Sequence, residues 1–242
     1  MRNKNYSQFQ IERLNPIQIQ SAFRKRSLVY LPLGAIEWHG LHLPIGLDSL
    51  TSHGICLSVA DKMGGLVMPP LYYGMTGSIW NHPYTILIEQ EMVLLNILMT
   101  TLKRLETDKI EKVIIFTGHF ALKQLELLSV LKEKWKAEKI TLELTVLSIS
   151  ECPRIDMKAD HGAIFETSVL AQIKPDLVQL QNLPNKEDVP ANDPEGNSMG
   201  DHRRDIHNVL FGIFGDDPRY YDNDKAEILF KNIVEWVAES VD

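Results

Sequence analysis

Short apolar runs alternate along this chain with longer segments of helical periodicity. Residues 27–33 form a compact apolar run that predicts a strand, and 66–68, 112–117 and 142–149 predict three more. Between them lie helical patterns. One runs from about 49 to 62 with Leu50, Ile55, Leu57 and Val59, a second from 89 to about 107 with Met92, Leu95, Ile97, Leu98, Leu102 and Leu105, and a third over roughly 122–138. Asn15-Pro16 reads as an N-cap followed by Pro at the first helical position, opening a short helix to about Phe23. A further helix begins near Thr167. The last, 224–239, is amphipathic with Ile228, Leu229, Ile233, Val234 and Val237 inward. Gly64-Gly65 stops the second helix, and Pro69-Pro70 breaks the second strand. Uninterrupted apolar strands alternating with helices mean an α/β fold with a mainly parallel sheet covered on both faces. The run 182–205, rich in Asn, Pro, Asp and Glu, has no period and reads as a long surface loop near a site or at an oligomer contact, not as a second domain.

Composition narrows the function classes. The chain has 242 residues, 44% hydrophobic and 24% charged, enough for a sizeable core in a soluble protein. A formal net charge of −7 argues against nonspecific nucleic-acid binding, and the longest basic cluster, Arg24-Lys25-Arg26, does not offset it. No apolar run reaches the length of a membrane span, and the first ten residues lack the apolar core of a signal peptide, so a cytoplasmic location is expected. Cys56 and Cys152 have no C-x-x-C partner and read as two free buried thiols. The charged run Lys132-Glu133-Lys134, with Lys136 and Glu138, reads as the solvated face of a helix.

The chemistry concentrates after the first strand. Residues 31–48 read L-P-L-G-A-I-E-W-H-G-L-H-L-P-I-G-L-D. Glu37 and His39 are two apart, so in an extended segment they leave the same face, and Asp48 follows one short loop later. Carboxylate and imidazole together suit Zn²⁺, Mn²⁺ or Fe²⁺, although a polar loop capping a buried strand accounts for the same spacing. His119 follows another predicted strand, and Asp160, His161 and Glu166 lie in the loop region after a third. In parallel α/β sheets ligands bind beyond the carboxyl ends of the strands, and all three clusters fall on that edge.

E-W-H-G-L-H-L-P-I-G-L-D resembles the E-x-H-G-x-H-L-P-x-x-x-D signature of the creatininase (creatinine amidohydrolase) family. Thr117-Gly118-His119 falls where that family has its G-H-G-G-N turn, and D-H-G-A-I-F-E-T-S at 160–168 is similar to its H-A/G-G-x-x-E-T-S segment. N-H-P-Y-T at 81–85 and F-G-D-D-P at 214–218 resemble two weaker motifs, so the likeness runs through nearly the whole chain as one domain over 1–242. The resemblance implies a three-layer α/β/α sandwich, two divalent metal ions per chain (Zn or Mn, with Fe as a further option) and a homo-oligomer, usually a hexamer. It also implies hydrolysis of a non-peptide or cyclic amide C–N bond through a hydroxide shared by the ions. By the same resemblance Glu37, His39, Asp48, His119 and Glu166 are metal ligands, with Glu37 and His39 facing different ions and Asp48 between them, and His161 is the catalytic histidine that protonates the leaving nitrogen. Three carboxylates, two divalent ions and a hydroxide sum to zero charge, which suits a neutral amide substrate.

The chain departs from the family around the pocket. Phe120-Ala121 replaces the Gly-Gly that follows the histidine, and Ala121 stands where creatininase carries a glutamate. Tyr84 replaces the Gly of the P-G-T loop, and Met157 stands where creatininase has a pocket tryptophan. Trp80, His82, Tyr84, Phe120 and Met157 are the expected substrate contacts. His42 is expected to support its loop by hydrogen bonding, Trp38 and His53 to pack, and His202 and His207 to lie on the surface. Two further readings stay open: a formamide hydrolase acting on a pyrimidine-type intermediate, with cleavage of a modified peptide as another activity among relatives, and a metal-containing binding protein that has lost catalysis.

Overall fold

Four parallel strands form the sheet of this computed structural model, in the order β2-β1-β3-β4. The structure describes residues 4–77, 79, 81–82, 84–138, 140–191 and 203–241; Trp80 and His202 lie outside the described residues. The strands are β1 (Leu28–Leu33), β2 (Leu66–Val67), β3 (Lys112–Thr117) and β4 (Glu143–Ser148). The helices are α1 (Pro16–Lys25), α2 (Leu47–Met63), α3 (Glu91–Thr107), α4 (Leu122–Ala137), α5 (Ile164–Ile173) and α6 (Asn223–Glu239). The expected N-cap of α1 is present as a capping box: Asn15 accepts from the Gln18 N–H, and the Gln18 side chain accepts from the Asn15 N–H.

Strand alternation sorts the core into two layers. Leu28 and Tyr30 of β1, with Ile114 and Phe116 of β3, point to one face, where α2, α5 and α6 cover them. Val29, Leu31 and Leu33, with Val113 and Ile115, point to the other, where α3 and α4 cover them. A strand buried on both faces must be apolar at every position, which is why β1 and β3 read as unbroken apolar runs. α2 is sandwiched deeply enough that Asp48, Ser49, Thr51, Ser52 and Ser58 are buried along with its apolar residues. Cys56 and Cys152 are buried and free, as expected. The charged positions from Lys132 to Glu138 are exposed. No helix among the described residues is long and apolar enough to cross a membrane.

Three expectations need correction. Asp48 is not in a loop but in the first turn of α2, which begins two residues earlier than its periodicity indicates. Glu166 is likewise helical, because α5 begins at Ile164 rather than near Thr167. Both helices start just after a glycine, in L-P-I-G-L and G-A-I-F, where the apolar residues show no helical spacing. Ile228 is 61% exposed rather than inward, since the face of α6 that packs is carried by Ala226, Leu229, Ile233, Val234 and Val237.

The sheet order places a switch point between its two central strands. The chain leaves β1 toward β2 on one side and leaves β3 toward β4 on the other, so the loops diverge and open a crevice above β1 and β3. The two strands end in register, Leu33 opposite Thr117, and each is followed by a glycine. A Cβ on Gly34 or on Gly118 would lie closer than 3.0 Å to the backbone of Asp48 or Ser49. The absence of side chains at these two positions lets the first turn of α2 sit directly on the strand ends. Gly118→Ala and Gly34→Ala are therefore expected to destabilise the fold by about 1–3 kcal/mol or more, as overpacking against backbone does. Urea unfolding checks this, and a variant as stable as the parent would refute it.

Candidate metal centre

Five buried side chains converge above that crevice: Glu37 and His39 from the segment after β1, Asp48 from α2, His119 from the turn after β3, and Glu166 from α5. Asp48 lies in the middle. One of its oxygens, Oδ1, is 3.1 Å from His39 Nε2, while Oδ2 is 3.0 Å from His119 Nδ1. Glu37 Oε2 closes on His119 Nδ1 at 3.1 Å, and Glu166 Oε2 on His39 Nε2 at 3.5 Å. The donors thus form two triads that share Asp48: Glu37, Asp48 and His119, and His39, Asp48 and Glu166, with the atoms of each triad within 4.8 Å of one another. A third grouping joins Glu37 and His39 to His161.

Backbone carbonyls decide which imidazole nitrogen faces the carboxylates. His39 Nδ1 donates to the Glu37 carbonyl at 2.9 Å, so its Nε2 carries the lone pair when the ring is neutral. His119 Nε2 donates to the Met75 carbonyl at 2.8 Å, which leaves Nδ1 as the lone-pair atom. Among the described residues the buried His39 Nε2 makes no well-aligned hydrogen bond, although Asp48 Oδ1 lies 3.1 Å away. Two neutral imidazoles and three carboxylates, aimed inward in two triads, fit divalent cations of the Zn²⁺ or Mn²⁺ kind.

Without cations the cluster neutralises itself with protons. Burial opposes the charge on His39, but Asp48 and Glu166 outweigh it and push the ring up to about 10. His119 is raised in the same way, burial being overcome by Asp48 and Glu37. Asp48 is held below the ordinary carboxylate range: burial works against its charge, but the two histidines prevail. Glu166 is raised, by burial first and then by the Asp48 and Asp160 carboxylates, against the pull of His39.

His161 stands beside the cluster, its ring 4.3 Å from that of His39 between centroids. Its backbone is locked to Phe214 by a reciprocal pair of hydrogen bonds, and its Nε2 donates to the Trp38 carbonyl at 2.9 Å. Burial and the charge of His39 lower its pKa to about 4, so the ring is neutral at neutral pH. Trp38 packs, as expected, against Ile79, Phe211 and Phe214, and donates its indole N–H to the Phe211 carbonyl. His42 is buried and pairs through Nε2 with Thr167 Oγ1 at 3.0 Å, tying the loop that carries Glu37 and His39 to the helix that carries Glu166.

The expected substrate contacts are dispersed. The His82 ring stacks on Trp38 at 3.8 Å, and Tyr84 is 64% exposed beside it. Phe120 packs against the α2–α5–α6 core layer. Met157 joins the same layer and lines a groove with Ile164, Ser168 and Leu229, apart from the five-residue cluster. His53 is partly buried and His207 is exposed. Asp160, noted in the sequence without a role, accepts from the N–H groups of Phe165 and Glu166 and so caps the start of α5. Its distance from that helix start hides it from a capping pattern.

A model of the creatininase family, described as creatinine amidohydrolase, matches residues 12–241. The chain belongs to the creatininase family. Among curated proteins it is 26% identical over 179 residues to creatinine amidohydrolase of Pseudomonas putida, covering 64% of this chain and 68% of that protein. It is 28% identical over 164 residues to the mycofactocin precursor peptide peptidase of Mycobacterium ulcerans (strain Agy99), covering 64% of this chain but only 62% of that protein's length. A crystal structure of creatininase superposes with a TM-score of 0.74 at 21% identity, covering 96% of both chains. A creatininase structure named for Mn gives 0.73 at 22%, covering 96% of this chain and 97% of that one. These likenesses establish the α/β fold and the membership of this creatininase-family hydrolase.

The neutral state of His42 in the creatininase-like fold sets a pH dependence. Burial, with the charge of His39, holds its pKa at about 3 against an ordinary 6.5. Below pH 6.5 the unfolded chain takes up a proton here that the folded chain refuses, so stability present above 6.5 declines as the pH falls toward 3. Urea unfolding of the metal-free protein across this range is expected to be steeper in pH for the parent than for His42→Gln. Parallel curves would show that His42 is not held neutral.

Proposed function

We propose that this protein is a dinuclear metal-dependent amidohydrolase acting on a non-peptide or cyclic amide C–N bond. The observation that carries the reading is the pair of donor triads joined by Asp48. Glu37, Asp48 and His119 would hold one divalent ion, and His39, Asp48 and Glu166 the other. Two such ions supply a water acidic enough to attack near neutral pH and an electrophile for the amide carbonyl oxygen. The protein's own part is proton handling and orientation. His161 spends its Nε2 on the Trp38 carbonyl, so Nδ1 is the atom that exchanges protons. Starting neutral, it accepts the proton released by the attacking water and returns it to the leaving nitrogen, which departs poorly as an anion. Glu37, Asp48 and Glu166 keep the local charge negative enough to retain two cations.

The substrate class is read from the family and from the changed rim. Ala121 lies beside Gly77, whose own position abuts Glu37, so an acidic side chain is missing next to one triad. Together with Met157 and Tyr84 this argues against creatinine itself. The chain is also similar to a peptide peptidase, at 28% identity over 164 residues, so a peptide-derived amide is the second reading. Formamides are the third. The chain is read as a single catalytic domain and, from the family, as a homo-oligomer subunit; exposed Met92, Val93 and Ile97 on α3 suit a subunit contact.

Elemental analysis is expected to find close to two Zn or Mn ions per chain, and Asp48→Ala to lose both. Loading zinc at pH 7 is expected to release about two to three protons, because His39 and His119 are protonated in the metal-free cluster and must ligate as neutral rings. Calorimetry in buffers of different ionisation enthalpy measures that number. A screen of cyclic ureides, formamides and short peptides with Mn²⁺, Zn²⁺ and Fe²⁺ identifies the amide, and His161→Ala should then lower turnover by about 10²–10⁴-fold with metals retained. Protein that binds no divalent ion and folds indifferently to chelators overturns the proposal; protein that binds metal and ligand but cleaves no amide is the lapsed binding protein instead.

A further inference from the structure

Four backbone polar groups around Met75, from the Gly74 carbonyl to the Thr76 N–H, are all hydrogen-bonded. The Gly74 carbonyl accepts from the Ile88 N–H at 2.8 Å, and the Thr76 N–H donates to the Ile88 carbonyl at 3.0 Å. Between these ties the Met75 carbonyl accepts from His119 Nε2 at 2.8 Å. The remaining group, the Met75 N–H, donates at 2.9 Å to a side chain 49 residues away, Gln124 Oε1.

Gln124 lies on α4, whose other buried residues are Leu127, Leu128, Leu131 and Trp135, and is completely buried at 0% exposure. Its Nε2 has no hydrogen-bond partner among the described residues. An apolar side chain would fill this space without stranding a donor in the core. What glutamine provides and leucine does not is an acceptor for the Met75 N–H. We propose that Gln124 is a positioning residue for the metal centre, acting through Met75 to set which nitrogen of His119 faces Glu37 and Asp48. The inference rests on the dinuclear reading above.

The physical chain is short. Gln124 and Ile88 hold the two edges of the peptide plane before Met75, and His119 and Ile88 the two edges of the plane after it. The Met75 carbonyl then has one direction available, and a carbonyl in that direction requires a proton on His119 Nε2. Nδ1 is left 3.1 Å from Glu37 Oε2 and 3.0 Å from Asp48 Oδ2. His39 is oriented independently, by the Glu37 carbonyl. Loss of the Gln124 acceptor therefore acts on one triad and spares the other.

Zinc binding to the full-length protein, followed by competition with a chromophoric chelator, separates the two ions, and His119→Ala identifies the step that belongs to its triad. Gln124→Leu is expected to weaken that step by about 10–100-fold and to change the other by less than about threefold. Gln124→Glu, whose carboxyl oxygen accepts the same N–H, is expected to restore it. Long-range ¹H–¹⁵N NMR of the zinc-loaded parent should show His119 protonated at Nε2 and ligating through Nδ1, with a mixture of forms in Gln124→Leu. Parental affinity at both steps in Gln124→Leu, equal weakening of both, or failure of folded Gln124→Glu to restore the His119 step overturns the relay while the dinuclear reading stands. A parent protein that takes up no zinc overturns the dinuclear reading, and the relay with it.

Discussion

The centre depends on one close approach: the first turn of α2 rests on the ends of β1 and β3. Gly34 and Gly118 leave no side chain between strand and helix, and Asp48 is thereby delivered to the middle of the crevice. From there its two oxygens reach one histidine from each neighbouring strand end. A carboxylate in this place is favoured twice, by the amide dipoles of the helix start and by the two rings it faces. Move the helix outward by the width of a methyl group and Asp48 no longer bridges. The triads would then have nothing in common.

Around this contact the protein applies the same device repeatedly, a backbone carbonyl that dictates an imidazole's tautomer. Glu37 does this for His39, Met75 for His119 and Trp38 for His161. Carbonyls suit the purpose because they only accept, so the nitrogen bonded to them must carry the proton and the opposite nitrogen is offered to the site. The three carbonyls belong to segments with different anchors. Trp38 is wedged by Ile79, Phe211 and Phe214, while Met75 is tied to Ile88 and Gln124. Site geometry is thus distributed into the loops and core layers.

Ligand cage and pocket rim consequently have different freedom. The cage residues are buried and mutually compensated, and a change in any one leaves a charge or a lone pair without its counterpart. Tyr84 is exposed beside His82, which stacks on Trp38, so substitution at Tyr84 strands no buried group. A family can therefore keep its hydrolytic centre and exchange its substrate. In the present chain Ala121 lies beside Gly77 next to Glu37, and Met157 packs against the α2–α5–α6 core layer.

The sequence by itself determined the parallel α/β architecture and named the five acidic and imidazole side chains that the fold brings together. Strands buried on both faces must be apolar throughout, and carboxylates and imidazoles after several strands must share the carboxyl edge. It also identified the supporting part of His42 and the packing part of Trp38. Only the tertiary structure decided that Asp48 and Glu166 are helical, because both helices begin in glycine-containing stretches whose apolar residues have no helical spacing. It alone decided the partners Thr167, Met75 and Gln124 as well. Hydrogen bonds between a side chain and a backbone group 44 or 49 residues away leave no pattern along the chain, since any residue can supply the backbone half of the bond. Which nitrogen each histidine offers to the site is for that reason a property of the fold.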